Sequence, residues 1–263
     1  MIAFVGAGPG AADLITLRGR DRLARADVVI WASSLIPPEI LEPCRPEAQI
    51  HDSASMTLED VLAVYSAADP DAAVVRLHSG DPCLYGAIGE QIEWCQTNGR
   101  AFEIVPGVSS LGAAAAVIAR ELTLPGVAQS VVLTRIAGRT AASMPPGQSV
   151  ADLARAGATM AIFLSASLPA ALVDELLAPG SAYTGSTPAW VVARASWADE
   201  VAAPTTVGGL AATLQEVGAR TTVLVLVGPA LAGTGRRSHL YSPDFAHGRR
   251  RRSAPATTTG RPA

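Results

Sequence analysis

Phe4-Val5-Gly6-Ala7-Gly8-Pro9-Gly10-Ala11 decides the fold: a short apolar run closes on a glycine-rich turn, and Thr16 then opens a helical pattern. A buried strand that ends in glycines and leads into a helix leaves backbone N–H groups exposed. In α/β proteins that arrangement holds a small charged ligand. The pattern returns at Leu77-His78-Ser79-Gly80-Asp81-Pro82 and at Val105-Pro106-Gly107-Val108-Ser109-Ser110. Three such turns on neighbouring parallel strands open into one crevice at the strands' C-terminal ends.

Working outward, apolar runs predict strands over 2–5, 28–31, 73–78 and 102–105. Helical patterns separate them: one capped by Thr16, one opened by the capping-box-like Thr57-Leu58-Glu59-Asp60, and one over 89–96. The alternation predicts a largely parallel sheet. An alanine-rich helix runs to about 120, and a second series follows, with strands over 131–135, 160–164, 189–194 and 222–227. Its helices lie near 150–156, 169–177 and 210–217. The expected fold is α/β, two α/β domains over 1–115 and 116–235 with a ligand cleft between them. Beyond that, periodicity stops, and 236–263, with its arginine run at 249–252, reads as a flexible, solvated tail.

Composition narrows the function. The 263 residues carry a net charge of -3, which gives no general attraction for nucleic acid. No apolar run reaches the roughly 18 residues that span a bilayer, so no membrane partner is expected. Met1 leads straight into the first strand with no basic leader, and Cys44, Cys83 and Cys95 have neither disulfide nor zinc spacing. A reducing cytoplasm and no metal are the expectation. All basic residues are arginines, which excludes a lysine base or Schiff base. Arginine's planar fork suits carboxylates.

Gly6-Ala7-Gly8-Pro9-Gly10-Ala11 also fits the dinucleotide fingerprint G-x-G-x-x-[GA]. That site needs an acid at the end of the second strand, and here the strand runs into Ala32-Ser33-Ser34 while Asp27 precedes it. Asp81 reads equally as a ligand carboxylate or as the acceptor of an Asx turn. His78 and His51 are candidate bases or plain structural hydrogen-bonders, and Cys83 a small packed residue. Asp199 and Glu200 read as neighbours on a strand, pointing to opposite faces and unable to cooperate.

Taken together, Val5–Gly10, Gly80-Asp81-Pro82, Val105–Ser110 and the stretch Ala158-Thr159-Met160-Ala161-Ile162-Phe163-Leu164 make the chain resemble the tetrapyrrole (corrin/porphyrin) methylase family over residues 1 to about 230. Further stretches at 51–56, 79–91, 133–140 and 194–200 resemble the branch that methylates carbon 11 of a partly methylated tetrapyrrole in cobalamin biosynthesis. Branches acting on other tetrapyrroles, metal-free or cobalt-loaded, stay open. The resemblance implies S-adenosylmethionine as methyl donor, S-adenosylhomocysteine as product, and a homodimer. It implies cofactor contacts at Pro9, Ser79, Gly80, Asp81, Leu84, Ser109, Ser110, Leu164 and Ala195. Arg18, Arg135, Arg139 and Arg194 are the candidate partners of the substrate's carboxylates, with His78 and Tyr85 as candidates for orienting the macrocycle or moving a proton.

Overall fold

The computed structural model describes residues 1–138, 141–233, 235, 238–242, 245, 246 and 248. The first half forms a parallel sheet of β1 (Ile2–Gly6), β2 (Val28–Trp31), β3 (Gln49–Asp52), β4 (Val74–His78) and β5 (Phe102–Val105), in the order β3-β2-β4-β1-β5. Strands β4, β1 and β5 are adjacent, so their C-terminal turns meet. Helices α1 (Leu17–Ala24), α2 (Leu58–Ala67) and α3 (Gly89–Thr97) flank this sheet. Thr16 caps α1 by accepting from Gly19 N, and Thr57 with Asp60 forms a complete capping box on α2. One face of the sheet buries Ile2, Phe4, Ile30 and Val74 against Tyr65 and Cys95; the other buries Val5, Val29 and Leu77 against Leu23.

Helix α4 (Ser110–Val117) carries the chain across to the second sheet, where Ala113 and Ala114 pack with Ala161, Val192 and Leu226. That sheet contains β6 (Val131–Arg135), β7 (Thr159–Phe163), β8 (Pro188–Ala193), β9 (Val201–Thr206) and β10 (Val223–Val227), in the order β6-β7-β10-β8-β9. Helices α5 (Val150–Ala154), α6 (Pro169–Leu176) and α7 (Leu210–Val217) cover its far face with Leu172, Leu176, Leu210 and Leu214. Here only β6 and β7 are parallel; β7, β10, β8 and β9 pair antiparallel.

Sequence reading misses β3 and β9, both edge strands. β3 is largely exposed and so lacks an apolar run, and β9 carries Pro204, which only an edge tolerates. Asp199 and Glu200 lie in the turn between β8 and β9 rather than on a strand, which corrects the opposite-faces argument.

Candidate active site

The turns after β1, β4 and β5 interlock through their backbones. Gly80 N donates to Gly8 O at 2.7 Å, and Gly8 N donates to Gly80 O at 3.3 Å. Asp81 ties the second turn to the third: its Oδ2 accepts from Gly107 N at 2.9 Å, and its Oδ1 accepts from Cys83 N at 2.8 Å. A Cβ on Gly107 would lie 2.0 Å from Gly80 O, and one on Gly6 would lie 2.4 Å from the Gly107 Cα. The glycines thus serve loop-to-loop contact first. What remains free to face outward is a rim of Pro9, Ser79, Gly80, Asp81, Leu84, Ser109 and Ser110. Ser109 caps α4, its Oγ accepting from Leu111 N at 3.2 Å, so that helix's N-terminus opens on the same hollow.

The second sheet supplies the opposite wall. Arg135 and Ile136 come from the end of β6, Phe163 and Leu164 from the end of β7, Ala195 from the turn after β8, and Arg220 to Leu224 from the entry to β10. The backbone is left-handed at Leu164 (φ 53°), Arg194 (φ 50°), Ser196 (φ 70°) and Thr222 (φ 53°). The cleft between the walls has a volume of about 1060 Å³. Small-molecule sites run from about 300 to 1,000 Å³, so there is room for a sizeable ligand or a ligand pair. Tyr85, left-handed itself at φ 59°, sets its ring 5.1 Å from that of Phe163 across the mouth. Partial burial raises the Tyr85 phenol's pKa, which keeps it protonated at neutral pH.

Nine expected cofactor contacts (Pro9, Ser79, Gly80, Asp81, Leu84, Ser109, Ser110, Leu164 and Ala195) line this one cleft, with Tyr85 and Arg135. Both Asp81 oxygens are engaged by backbone N–H groups, so the Asx-turn reading describes the carboxylate's geometry. His78 does not reach the cleft. It faces the other side of the sheet, 93% buried, its ring 6.1 Å from that of Phe4 and its Nε2 without a partner. Burial, with help from Arg76, pushes its pKa down to about 3 and keeps it neutral. Arg18 is exposed on α1 away from the cleft lining, and Arg194 is ion-paired with Asp199 at 2.8 Å. Arg139 and the run at 249–252 lie outside the described residues. Arg220 and Thr222 were missed, because nothing in Ala219-Arg220-Thr221-Thr222 marks a left-handed strand entry. Asp27 accepts from Ala73 N and Arg45 at the opposite end of the sheet, as expected of an acid that precedes its strand.

A parallel sheet whose glycine turns face a mixed sheet across one cleft is the architecture of a known class. The sequence profile of the tetrapyrrole (corrin/porphyrin) methylases matches residues 1–211, and the chain belongs to that family. A precorrin-4 C(11)-methyltransferase of a Sinorhizobium species is 43% identical over 246 residues, covering 93% of this chain and 96% of the relative. The crystal structure of a cobalt precorrin-4 methyltransferase of cobalamin biosynthesis superposes with a TM-score of 0.82 at 39% identity, covering 88% of this chain and 95% of that one. The uroporphyrin-III C-methyltransferase of Thermus thermophilus, complexed with S-adenyl homocysteine, superposes with a TM-score of 0.71 at 25% identity, covering 90% and 95%.

Proposed function

We propose that this chain transfers a methyl group from S-adenosylmethionine to carbon 11 of precorrin-4, giving precorrin-5 in cobalamin biosynthesis. The observation that carries this reading is the convergence of all nine expected cofactor contacts on one cleft, in a chain with relatives of that activity. The residues present suit the cofactor. The rim offers serine hydroxyls and the N–H groups at the start of α4, and Leu84, Leu164 and Val192 supply apolar surface. When bound, the sulfonium supplies a methyl group that is already activated.

The chain therefore has to align and to exclude water rather than supply a nucleophile. Ser79, Gly80 and Ser109 hold the donor side, and Pro9 and Ala195 narrow it from opposite walls. Arg135, from the end of β6, pairs with a substrate carboxylate, and Arg220 provides a second cationic group at the same wall. Tyr85 and Phe163 close the mouth with aromatic surface suited to a flat macrocycle. Transfer would form the new carbon–carbon bond as the carbon–sulfur bond breaks, releasing S-adenosylhomocysteine, and the positive charge passed to the macrocycle would leave it as a proton.

The same reading includes a cytoplasmic homodimer of two α/β domains that meet at α4. Among the described residues no helix is long and apolar enough to cross a membrane. A second reading, the cobalt-loaded substrate, is supported by the superposition on the cobalt precorrin-4 enzyme.

The test is incubation with the trimethylated precursor, metal-free and cobalt-loaded, followed by mass spectrometry and carbon-13 detection at carbon 11. One added methyl at that carbon is expected. No methyl gain with either form overturns the proposal, and the faster form identifies the substrate.

A further inference from the structure

The turn joining β8 to β9 is built for more than chain reversal. Its sequence is Arg194-Ala195-Ser196-Trp197-Ala198-Asp199-Glu200. Two of its residues, Arg194 and Ser196, are non-glycine residues in the left-handed region, at φ 50° and 70°. Such conformations are strained and persist only where neighbours enforce them. Both acids of the turn fold back on these two residues. Asp199 pairs with Arg194 at 2.8 Å, and Glu200 Oε2 accepts from Ser196 N at 2.6 Å.

The strained turn reaches across to the other sheet. The Trp197 indole Nε1 donates to Pro9 O at 3.0 Å, and Ser196 Oγ accepts from Ala11 N at 3.0 Å. The indole lies so close to Gly10 that a Cβ there would be 2.1 Å from Trp197 Cδ1. The three residues bound or covered, Pro9 to Ala11, form the outer half of the first glycine turn. On the cleft side, Pro9 and Ala195 are lining residues. Thus two hydrogen bonds and a ring-on-glycine contact join the cleft's two walls behind residues that face the ligand.

We propose that this turn is a latch, with Trp197 and Ser196 as positioning residues that fix the spacing between Pro9 and Ala195 and so set the affinity for the adenosyl cofactor. The latch rests on the cofactor reading above and adds residues that touch no ligand. The Tyr85–Phe163 pair, its rings 5.1 Å apart, stands at the cleft's mouth and is the side at which the latch leaves the cleft to open.

Calorimetric titration with S-adenosylhomocysteine tests it in the full-length chain, alongside thermal unfolding. Trp197→Phe keeps a ring on Gly10 but removes the N–H. Trp197→His restores an N–H two bonds from Cγ, where the indole carries its own. Binding is expected to weaken about fivefold in Trp197→Phe and in Ser196→Ala, and to recover in Trp197→His at pH 8. KM for the methyl donor is expected to rise while kcat at saturation stays within twofold. Unchanged affinity in both folded variants, or a loss that Trp197→His does not repair, overturns the latch. Absence of binding by the wild-type chain overturns the cofactor reading and the latch with it.

Discussion

The two walls of the cleft reach the same end by opposite means. The interlocked turns of the first wall bend their backbone with glycines: Gly8 and Gly80 are left-handed at φ 82° and 65°, and only beyond them, at Tyr85 (φ 59°) and Ala87 (φ 49°), does this wall carry the same bend on side-chain-bearing residues. The second wall bends at Leu164, Arg194, Ser196 and Thr222, all left-handed and none of them glycine. Glycine takes such angles without strain, whereas each side chain that does so stores energy. The glycine turns of the first wall are therefore a relaxed, tightly nested unit, and the bends of the second wall are held in place by their neighbours. Where the walls differ in what glycine does, they should differ in the sign of their response to it.

The sharpest break comes at Gly107. Gly107→Ala sets a Cβ about 2.0 Å from Gly80 O, against backbone that has no flexible end to move. A cost of about 3 kcal/mol or more is expected by urea denaturation, with loss of S-adenosylhomocysteine binding. A variant with wild-type stability would mean that the three turns are not mutually braced.

A second test uses the imidazole behind the first wall. Burial holds the His78 pKa at about 3, against 6.5 for an ordinary histidine, so between those values the unfolded chain binds the extra proton. Stability is then complete above about pH 6.5 and falls as the pH drops toward 3. The slope approaches at most about 1.4 kcal/mol per pH unit. Between pH 6.5 and 4.5, above the range where Asp27, Asp52 and Asp60 with their lowered pKa values take up protons, the drop is expected to reach about 2 kcal/mol. His78→Phe should flatten this profile. An equal slope in both proteins would place the acid sensitivity elsewhere.

Asp81 separates the two uses of a carboxylate at this rim. Asp81→Ala releases Gly107 N and Cys83 N together. Since the residue is only partly buried, the expected loss is about 2 kcal/mol, as a drop in the urea midpoint. Asp81→Asn keeps one acceptor and should fall between. If stability is unchanged while binding is lost, the carboxylate acts on ligand rather than on the loop.

The same contrast explains which parts of the molecule were legible in the sequence. Glycine turns after apolar runs are visible as letters, so β1, β4, β5 and the crevice at their ends could be placed from sequence, and Thr16 and Thr57 announced their helices. The second wall carries its bends on ordinary residues, and no letter distinguishes Thr222 at φ 53° from an extended threonine. Leu164 and Ala195, like the individual contacts Pro9, Leu84, Ser109 and Ser110 on the first wall, were reached through family resemblance. The arginines were legible as a type but not as places: Arg135 ends a strand and Arg194 directly follows one, yet Arg135 lines the cleft while Arg194 belongs to the latch turn and pairs with Asp199. His78 shows the period-2 ambiguity. It adjoins Ser79 in sequence, and the pleat turns it to the opposite face of the sheet.

The smallest effect is also the one that reverses sign. Leu164 is left-handed and 65% exposed, so its side chain contributes little to the core. Leu164→Gly relieves strain of about 1 kcal/mol, offset in part by the greater freedom of glycine in the unfolded chain. Stability should stay level or rise by up to about 0.5 kcal/mol, the reverse of what glycine replacement by alanine does at Gly107. Affinity for S-adenosylhomocysteine should fall, since the apolar side chain that lines the cleft is gone. A stability loss as large as that at Gly107 would mean that Leu164 is braced by packing rather than strained. The second wall would then be as nested as the first.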